Sequence, residues 1–416
     1  MKKEKTITSL RISADLFEAI KNAHQGTVLC HVADGNRDTS NGKIAIATKI
    51  ISSNNIVDGI LLYFHETGSK NSSVQQNSYI ELSFSDDCCE AFYYFNGCRY
   101  EIPKISIIGS NITFFFSENH NKTSDELNKR FSQTFGKQTT NLLSKLKIGV
   151  VGVSGTGSPT AEMLYRLNIG TLVLVDSDKV EIKNLGRIYN TSRKDVGKFK
   201  VKVIAEAFKK HALGAKVVAL TTTTNNSATI RELSQCDVIF GCVDTHSGRA
   251  FLDSICNYYL IPIFDIGVKL VADGLGSISD CCYSINYIKP GYSTLLSRNV
   301  INQATIESED LKYSNPEEYN NRLSEKYIKG VNEDSPAVIS INTMAASTAV
   351  NDFLARIHSF RNVDNNNIAK ISFSLMDPAF CVYDSEDSFN VDSYLSKKVG
   401  LGDRKPLLDM PALSEG

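Results

Sequence analysis

The sequence predicts an α/β protein: a doubly wound, mainly parallel sheet, preceded by a separate β-rich domain of α+β character. Three observations predict it. Five nearly all-apolar runs, KIGVVG (147–152), TLVLVD (171–176), AKVVAL (215–220), DVIFGCVD (237–244) and IPIFDIG (261–267), lack the polar alternation of a half-exposed strand. Strands of that kind are covered on both faces. Amphipathic helical patterns at 157–168, 197–213, 226–235 and 246–260 alternate with them, and right-handed crossovers then lay helices on both sides of a Rossmann-like sheet. The first 120 residues instead carry short β-like runs between turn-rich segments.

Within residues 1–120 the pattern predicts a helix over 12–24 and strands over 27–32, 43–51, 56–64, 78–84, 90–95 and 101–117, the last broken at Gly109-Ser110. His24, His31 and His65 are isolated, so no metal or catalytic histidine cluster is expected, and the domain reads as a recognition or dimerisation module. Residues 118–127 form a polar linker. Residues 121–416 form the second domain. After its parallel sheet come strand-like residues 274–288, a polar stretch at 290–335 that reads as an exposed excursion or a small subdomain, and a helix at 336–360 that Ser335 can cap. Strands at 370–376 and 380–384 complete the sheet, and the tail is polar.

The bulk properties exclude several classes. The chain of 416 residues has 42% hydrophobic and 22% charged residues and a formal net charge of -1, ordinary for a globular protein. No basic stripe supplies the field that a nucleic acid or an anionic membrane would attract. No apolar run reaches the roughly 18 residues of a membrane span, and MKKEKTITSLRIS lacks the apolar segment of a signal peptide. The ten cysteines form no C-x-x-C pair, and Cys236, Cys242 and Cys256 fall in segments that read as buried. Reduced thiols in a cytoplasmic protein are therefore expected.

The chemistry is concentrated at the carboxyl ends of the apolar strands. Gly152-Val-Ser-Gly155-Thr156-Gly157 follows the first strand. Glycines there let backbone amides approach a phosphate, beside the positive end of the next helix, although a turn that needs glycine only for packing would look the same. Asp176 ends the second strand, where an acid accepts hydrogen bonds from ribose hydroxyls. NAD and adenosine fit these two features equally. The string that starts at Asp176 separates them: Asp178, Asn184, Arg187 and then Lys198 and Lys200. Hydride transfer does not need these cationic and amide groups, whereas a triphosphate does. Asp244 ends the fourth strand at the same sheet edge, where a carboxylate can hold Mg²⁺.

Together these residues resemble the ThiF/MoeB/HesA family, bacterial relatives of the ubiquitin-activating enzymes. The family's glycine-rich loop is similar to GVSGTGSP, and its D-x-D…N-L-x-R string to Asp176, Asp178, Asn184, Leu185 and Arg187. Its V-G-x-x-K resembles Val196, Gly197 and Lys200, and its C-x-D resembles Cys242, Val243 and Asp244. The match covers residues 130–270 closely and continues more weakly through Pro290-Gly291, the 336–360 helix and GLGD (400–403). The resemblance implies an adenylyltransferase that uses ATP and Mg²⁺. In it, Asp176 holds the ribose and Gly152, Gly155, Thr156 and Gly157 shape the phosphate cradle. Asn184, Arg187 and Lys200 contact the phosphates, and Asp244, with Asp178, holds the metal.

The chain departs from that pattern in three places. Family members carry R-Y-x-R-Q before the first strand, whose second arginine enters a partner's site; here the segment is Arg130-Phe131-Ser132-Gln133-Thr134, which leaves Arg130 as the substitute. Many members hold zinc through two C-x-x-C pairs, but the matching stretches, 291–299 and 392–398, offer hydroxyls, so no zinc is expected. Members that pass the substrate onward as a thioester use a cysteine after the fifth strand; Cys282 is the nearest candidate, with a buried structural thiol as the alternative reading.

The expected function is ATP-dependent adenylation of the C-terminal carboxylate of a ubiquitin-like or sulfur-carrier protein. Adenylation of a short ribosomal peptide or a tRNA base by the same fold is the alternative, and a non-catalytic scaffold is a third reading. A conjugating enzyme is an implied partner. A homodimer is expected from the resemblance and from an apolar stripe over 127–146 that needs burial.

Overall fold

The computed structural model describes residues 7–34, 43–51, 60–67, 78–85, 88–117, 126–324, 336–377, 380–410 and 413. The 118–127 linker and the Ser335 cap lie wholly or mostly outside the described residues.

The amino-terminal part is built from β1 (Ile7–Ser13), α1 (Ala14–Ala23), β2 (Gln25–Asp34), β3 (Lys43–Ile51), β4 (Ile60–Glu66), β5 (Ser78–Phe84), β6 (Cys89–Phe95), β7 (Cys98–Glu101), β8 (Lys104–Ile108) and β9 (Ile112–Phe116). They form one sheet in the order β7-β6-β5-β4-β2-β3-β1-β8-β9. Ser13 ends β1 and caps α1, its side chain accepting a hydrogen bond from the Leu16 amide. Phe17 and Ile20 of α1 close one face of the sheet. The expected 12–24 helix therefore starts later, and a strand missing from the sequence reading lies before it. Ser9 and Arg11 are buried in that strand, and their polarity hides its apolar character.

The second sheet uses β10 (Lys147–Val151), β11 (Thr171–Val175), β12 (Lys216–Leu220), β13 (Val238–Gly241), β14 (Ile263–Ala272), β15 (Ile278–Ile288), β16 (Lys370–Ser374) and β17 (Cys381–Asp384), in the order β12-β11-β10-β13-β14-β15-β16-β17. The first five are parallel and the last three antiparallel additions. Its helices are α2 (Lys129–Leu143), α3 (Gly157–Arg166), α4 (Lys200–His211), α5 (Ser227–Leu233), α6 (His246–Tyr259), α7 (Gln303–Ser314), α8 (Pro316–Ser324) and α9 (Ile339–Ile357). This is the doubly wound sheet expected. Its strand order reverses between β10 and β13, the switch point beyond whose carboxyl strand ends open α/β sheets form their ligand crevice.

Two expectations about exposure are corrected. The 290–335 excursion is not uniformly exposed: Ser293, Thr294, Leu295 and Ile301 are buried, and Leu295, Ile301 and Ile306 join the core under α6. The stripe along α2 is largely met within the chain. Leu143 and Leu146 are buried, Phe135 packs on His358 and Phe360, and Gly136 kinks the helix with φ +80°. Only Leu127 of the stripe is largely exposed, so this surface does not by itself require a second copy.

The two sheets share their cores. Ile44 and Ile46 of β3 lie in the cluster beneath α6, and Ile108 and Ile112 in the cluster beneath α3 and α9. Arg11 is the centre of the junction. Its guanidinium donates to the Tyr259 carbonyl at 2.8 Å and the Cys236 carbonyl at 2.7 Å, at the carboxyl ends of α6 and α5. A cation is favoured at helix carboxyl ends. Lys104 donates to buried Asp237 at 2.6 Å, whose other oxygen accepts the Lys147 amide.

A second clasp joins the 290s to the tail. Ser293 donates to Glu386, Thr294 Oγ1 donates to Asp392 at 2.8 Å, and Arg298 donates to Ser293 and Glu386 at 2.8 and 2.9 Å. Beneath it, Asp253 accepts the Leu295 and Leu296 amides. Burial pushes its carboxyl up to about 8, against the pull of those amides.

Arg11→Ala should destabilise the fold by about 3 kcal/mol, because two buried carbonyls lose a charged donor; urea unfolding that moves by less than about 1 kcal/mol would contradict the clamp. The Asp253 shift has a definite sign. Its folded pKa is raised above the unfolded value of about 3.9, so stability falls as pH rises from about 4 through about 8. Urea midpoints followed across that window should fall more steeply for the wild type than for Asp253→Asn; parallel curves would contradict the assignment.

Candidate functional site

The crevice is floored by three backbone segments that meet at Gly152. The Gly152 amide donates to the Val175 carbonyl and the Cys242 amide to the Val151 carbonyl, both at 2.8 Å. Gly152 has φ +83°, and a Cβ there would lie 2.5 Å from the Cys242 carbonyl oxygen. A Cβ on Gly157 would overlap the Gly152 carbonyl, and one on Gly155 would overlap the Asn342 side-chain amide of α9. Close approach to backbone therefore requires glycine at 152 and 157, whereas a Cβ at 155 would need the Asn342 amide to move. Thr156 occupies the N-cap position of α3 without a side-chain cap bond; the Ser158 amide donates to the Ser154 carbonyl at 3.0 Å and Pro159 has no N–H, so of that helix's first residues Gly157 is the one whose amide has no partner among the described residues and can face an anion.

Asp176 ties this loop to the second strand. One oxygen accepts the Val153 amide and the other the Asp178 amide, each at 2.8 Å. Burial raises its pKa, with Lys200 and the two amides opposing the shift. Each oxygen keeps a further acceptor position.

Residues 179–199 form a closed loop. A bridge between Lys179 and Phe199, and the bonds Val180 N–Lys198 O and Gly197 N–Val180 O at 2.8 Å, make its neck. Gly197 has φ +88° there. The neck brings Lys200, which opens α4 and is buried, within 2.9 Å of Asp178. Asn184 is also buried; its Oδ1 accepts the Glu181 amide, so its carbonyl end is committed to folding the loop and its NH₂ end remains. The loop is pinned over the crevice. The Tyr189 amide donates to Ser158 Oγ at 3.0 Å, Tyr189 Oη lies 3.2 Å from Thr343 Oγ1 of α9, and Asn190 donates to Glu162 at 2.7 Å. Arg187 sits two residues from Tyr189, and its Nε is buried without any hydrogen-bond partner. Such an orphan donor is costly unless a ligand satisfies it.

Asp244 lies just beyond β13, exposed, with no hydrogen bond or ion pair among the described residues. Thr245 caps α6 behind it. The next two amides, His246 and Ser247, are taken by the Glu309 carboxylate of α7 at 3.1 and 2.7 Å. No group of three or more His, Cys, Asp or Glu side chains able to hold a metal occurs among the described residues. Mg²⁺ needs less, since it takes one or two carboxylates and completes its shell with phosphate and water. The cradle that three Cβ atoms would fill and the unpartnered Arg187 Nε fit a bound triphosphate.

Two candidate residues stand apart from this arrangement. Arg130 is exposed in the first turn of α2. Cys282 lies on β15, paired across from Lys269 and Ser374. Burial, and then a hydrogen bond to Asp280, push its thiol up, the wrong direction for a nucleophile. Cys242 beside the glycine loop is likewise pushed up to about 12 by burial. None of the ten cysteines is in a disulfide. Sequence reasoning missed Asn342, Glu309 and a buried group formed by Arg249, Asp265 and Asn286 under the crevice, with Arg249 Nε 3.1 Å from Asp265. Single polar residues inside apolar runs carry no local signal of such pairing.

Residues 127–379 match the ThiF family. Similar curated proteins include ubiquitin-like modifier-activating enzyme 5 of Drosophila willistoni, 34% identical over 134 residues, 29% of this chain and 33% of that protein. The Aedes aegypti protein of the same name is 32% identical over 136 residues, 29% of this chain and 34% of its own length. The chain thus spans about a third of the length of the curated relatives it matches. Among solved structures, Escherichia coli MccB with MccA-N7isoAsn is similar at 18% identity and a TM-score of 0.48, over 63% of this chain and 73% of that one. MccB with ATP gives 17% and 0.46, over 63% and 72%. The glycine cradle, the acid at the end of the second strand and the pinned cationic loop lie inside the matched span, and the chain belongs to the ThiF family.

Proposed function

We propose that the protein is an ATP-dependent adenylyltransferase acting on the C-terminal carboxylate of a small protein or peptide, in the manner of the ubiquitin-activating enzymes. Family membership supports the class. The observation that carries the reading is the buried, unpartnered Arg187 Nε on a loop pinned to the first turn of α3. It is a donor held ready beside a phosphate cradle.

The roles follow from the residues. Asp176 accepts from the ribose. The Gly152–Gly157 loop, with the Gly157 amide that opens α3, holds phosphate oxygens, and Arg187 and the NH₂ of Asn184 donate to them. Lys200, itself buried, pairs with the exposed Asp178, and the net field of the pair depends on what approaches Asp178. Asp244, with Asp178, would hold Mg²⁺, which supplies charge neutralisation along the phosphates. In the reaction a carboxylate oxygen of the acceptor attacks the α-phosphorus, the α–β anhydride bond breaks, and pyrophosphate leaves with the electron pair. The carboxylate is already ionised near neutral pH, so no general base is required and the chain's work is positioning and charge stabilisation.

The MccB relatives are named with the peptide MccA, and the activating enzymes with ubiquitin-like modifiers; we place the acceptor of this chain in that joint class of carboxylate-ended polypeptides. Homodimer assembly, with Arg130 reaching the partner's site, and action in the cytoplasm without zinc belong to the same proposal. Support for the first is the exposure of Arg130 at the start of α2.

Calorimetric titration tests the reading. The wild type should bind ATP with Mg²⁺ and bind NAD at least tenfold more weakly, and Arg187→Ala should lower the ATP affinity by about tenfold, the weight of one charged hydrogen bond. NAD binding without ATP binding would overturn it.

A further inference from the structure

We propose that Asn342 and the first turn of α9 form a second phosphate-recognition element, facing the glycine loop across the crevice. This rests on the ATP reading above and extends it to a part of the chain that carries none of the residues assigned to the site.

Four observations converge. Asn342 is only 3% exposed, yet its side chain makes no hydrogen bond among the described residues. The residue is enclosed, yet its amide is not among the fully buried polar atoms left without a partner, so it keeps an opening through which an acceptor can reach it. Its amide lies against the Cα of Gly155, in the space a Cβ at that position would occupy. The loop glycine and the asparagine are thus in contact, and the amide sits at the phosphate cradle. Third, α9 has 19 residues and no side-chain cap, because its N-cap residue is Val338. The amides of Ile339, Ser340 and Ile341 have no intrahelical acceptor, and Val338 and Ile339 are 43% and 40% exposed. A valine in this place forgoes the stabilisation a Ser, Asp or Asn would give and leaves the positive helix end unmasked. Finally, Thr343, the next residue, lies 3.2 Å from Tyr189 Oη of the pinned loop that carries Arg187.

Three elements therefore meet in one place: the glycine loop with the start of α3, the loop that carries Arg187, and the start of α9. The far end of α9 is fixed by buried Phe353 and Leu354 and by Arg356, which donates to the Ser110 carbonyl at 2.8 Å. Its amino end is consequently held on the crevice by a rigid rod. The chemistry that satisfies Asn342 Nδ2 together with uncapped helix amides is an anionic oxygen, and at the glycine loop that oxygen belongs to the nucleotide's phosphate chain.

The test replaces the amide by a side chain of similar size with no polar atom. Titrations of wild type and Asn342→Leu use ATP with Mg²⁺ and adenosine as separate probes, with thermal melting of each free protein alongside. Expected is a roughly tenfold loss of ATP affinity, no change for adenosine, and a melting temperature no lower than wild type, since the amide has no partner to lose. Asn342→Ser, which keeps a polar atom but shortens its reach, should lose ATP affinity as well and serves if the leucine variant does not fold. The inference is overturned if both variants bind ATP within twofold of wild type. It is also overturned if ATP and adenosine weaken equally, which would make Asn342 a packing residue. A wild type that binds no ATP would instead defeat the parent reading, and this one with it.

Discussion

Everything at the crevice depends on one close approach of backbone to backbone. At Gly152 the chain leaves β10, hydrogen-bonds sideways to Val175 and passes within reach of the Cys242 carbonyl, while Gly157 packs on the Gly152 carbonyl from the next turn. No side chain fits at either glycine. This contact sets where α3 begins and how near its first turn comes to the ends of β11 and β13. Asp176 then locks the loop by accepting the Val153 amide, and the residue that ends the second strand becomes part of the cradle of the first.

The cationic side of the site is assembled by a different device. Residues far apart in sequence, Asp178 and Lys200, become neighbours because the segment between them closes on itself at a two-bond neck. The loop so formed is too polar to fold over the crevice by hydrophobic burial alone, and it is fastened by three polar contacts to α3 and α9. The amino-terminal sheet lies behind the strands rather than at the crevice. Its Arg11 holds the carboxyl ends of α5 and α6 from below, and β3 and β8–β9 complete the cores under α6 and α9. A region without readable chemistry thus supports the helices that carry it.

The parallel sheet was legible because its strands are continuously apolar and its helices periodic; local composition alone encodes that pattern. The glycine loop, Asp176 and the 178–200 string were legible because each falls at a strand end. What stayed hidden shares one physical feature, polar residues placed inside apolar surroundings by partners distant in sequence. Arg11 disguised a central strand, Asn342 looked like an ordinary helix residue, and Ser293, Thr294 and Arg298 made a buried clasp look like an exposed excursion. The 101–117 run holds the last residue of β7 and all of β8 and β9; the turn at Gly109, Ser110 and Asn111 is readable at its glycine, and the break at Ile102-Pro103 went unread. Asp244, just past β13, and Arg130, in the first turn of α2, are both exposed.

The central claim is that the Gly152–Gly157 loop, Arg187 and Asp244 surround the phosphates of ATP. A structure of the chain determined with ATP and Mg²⁺ tests it most directly. The account predicts the phosphates between the glycine loop and the 179–199 loop, the ribose on Asp176, Arg187 Nε within hydrogen-bond distance of a phosphate oxygen, and the metal on Asp244. Nucleotide density elsewhere on the molecule, or a phosphate chain that leaves Arg187 unpartnered, would contradict it.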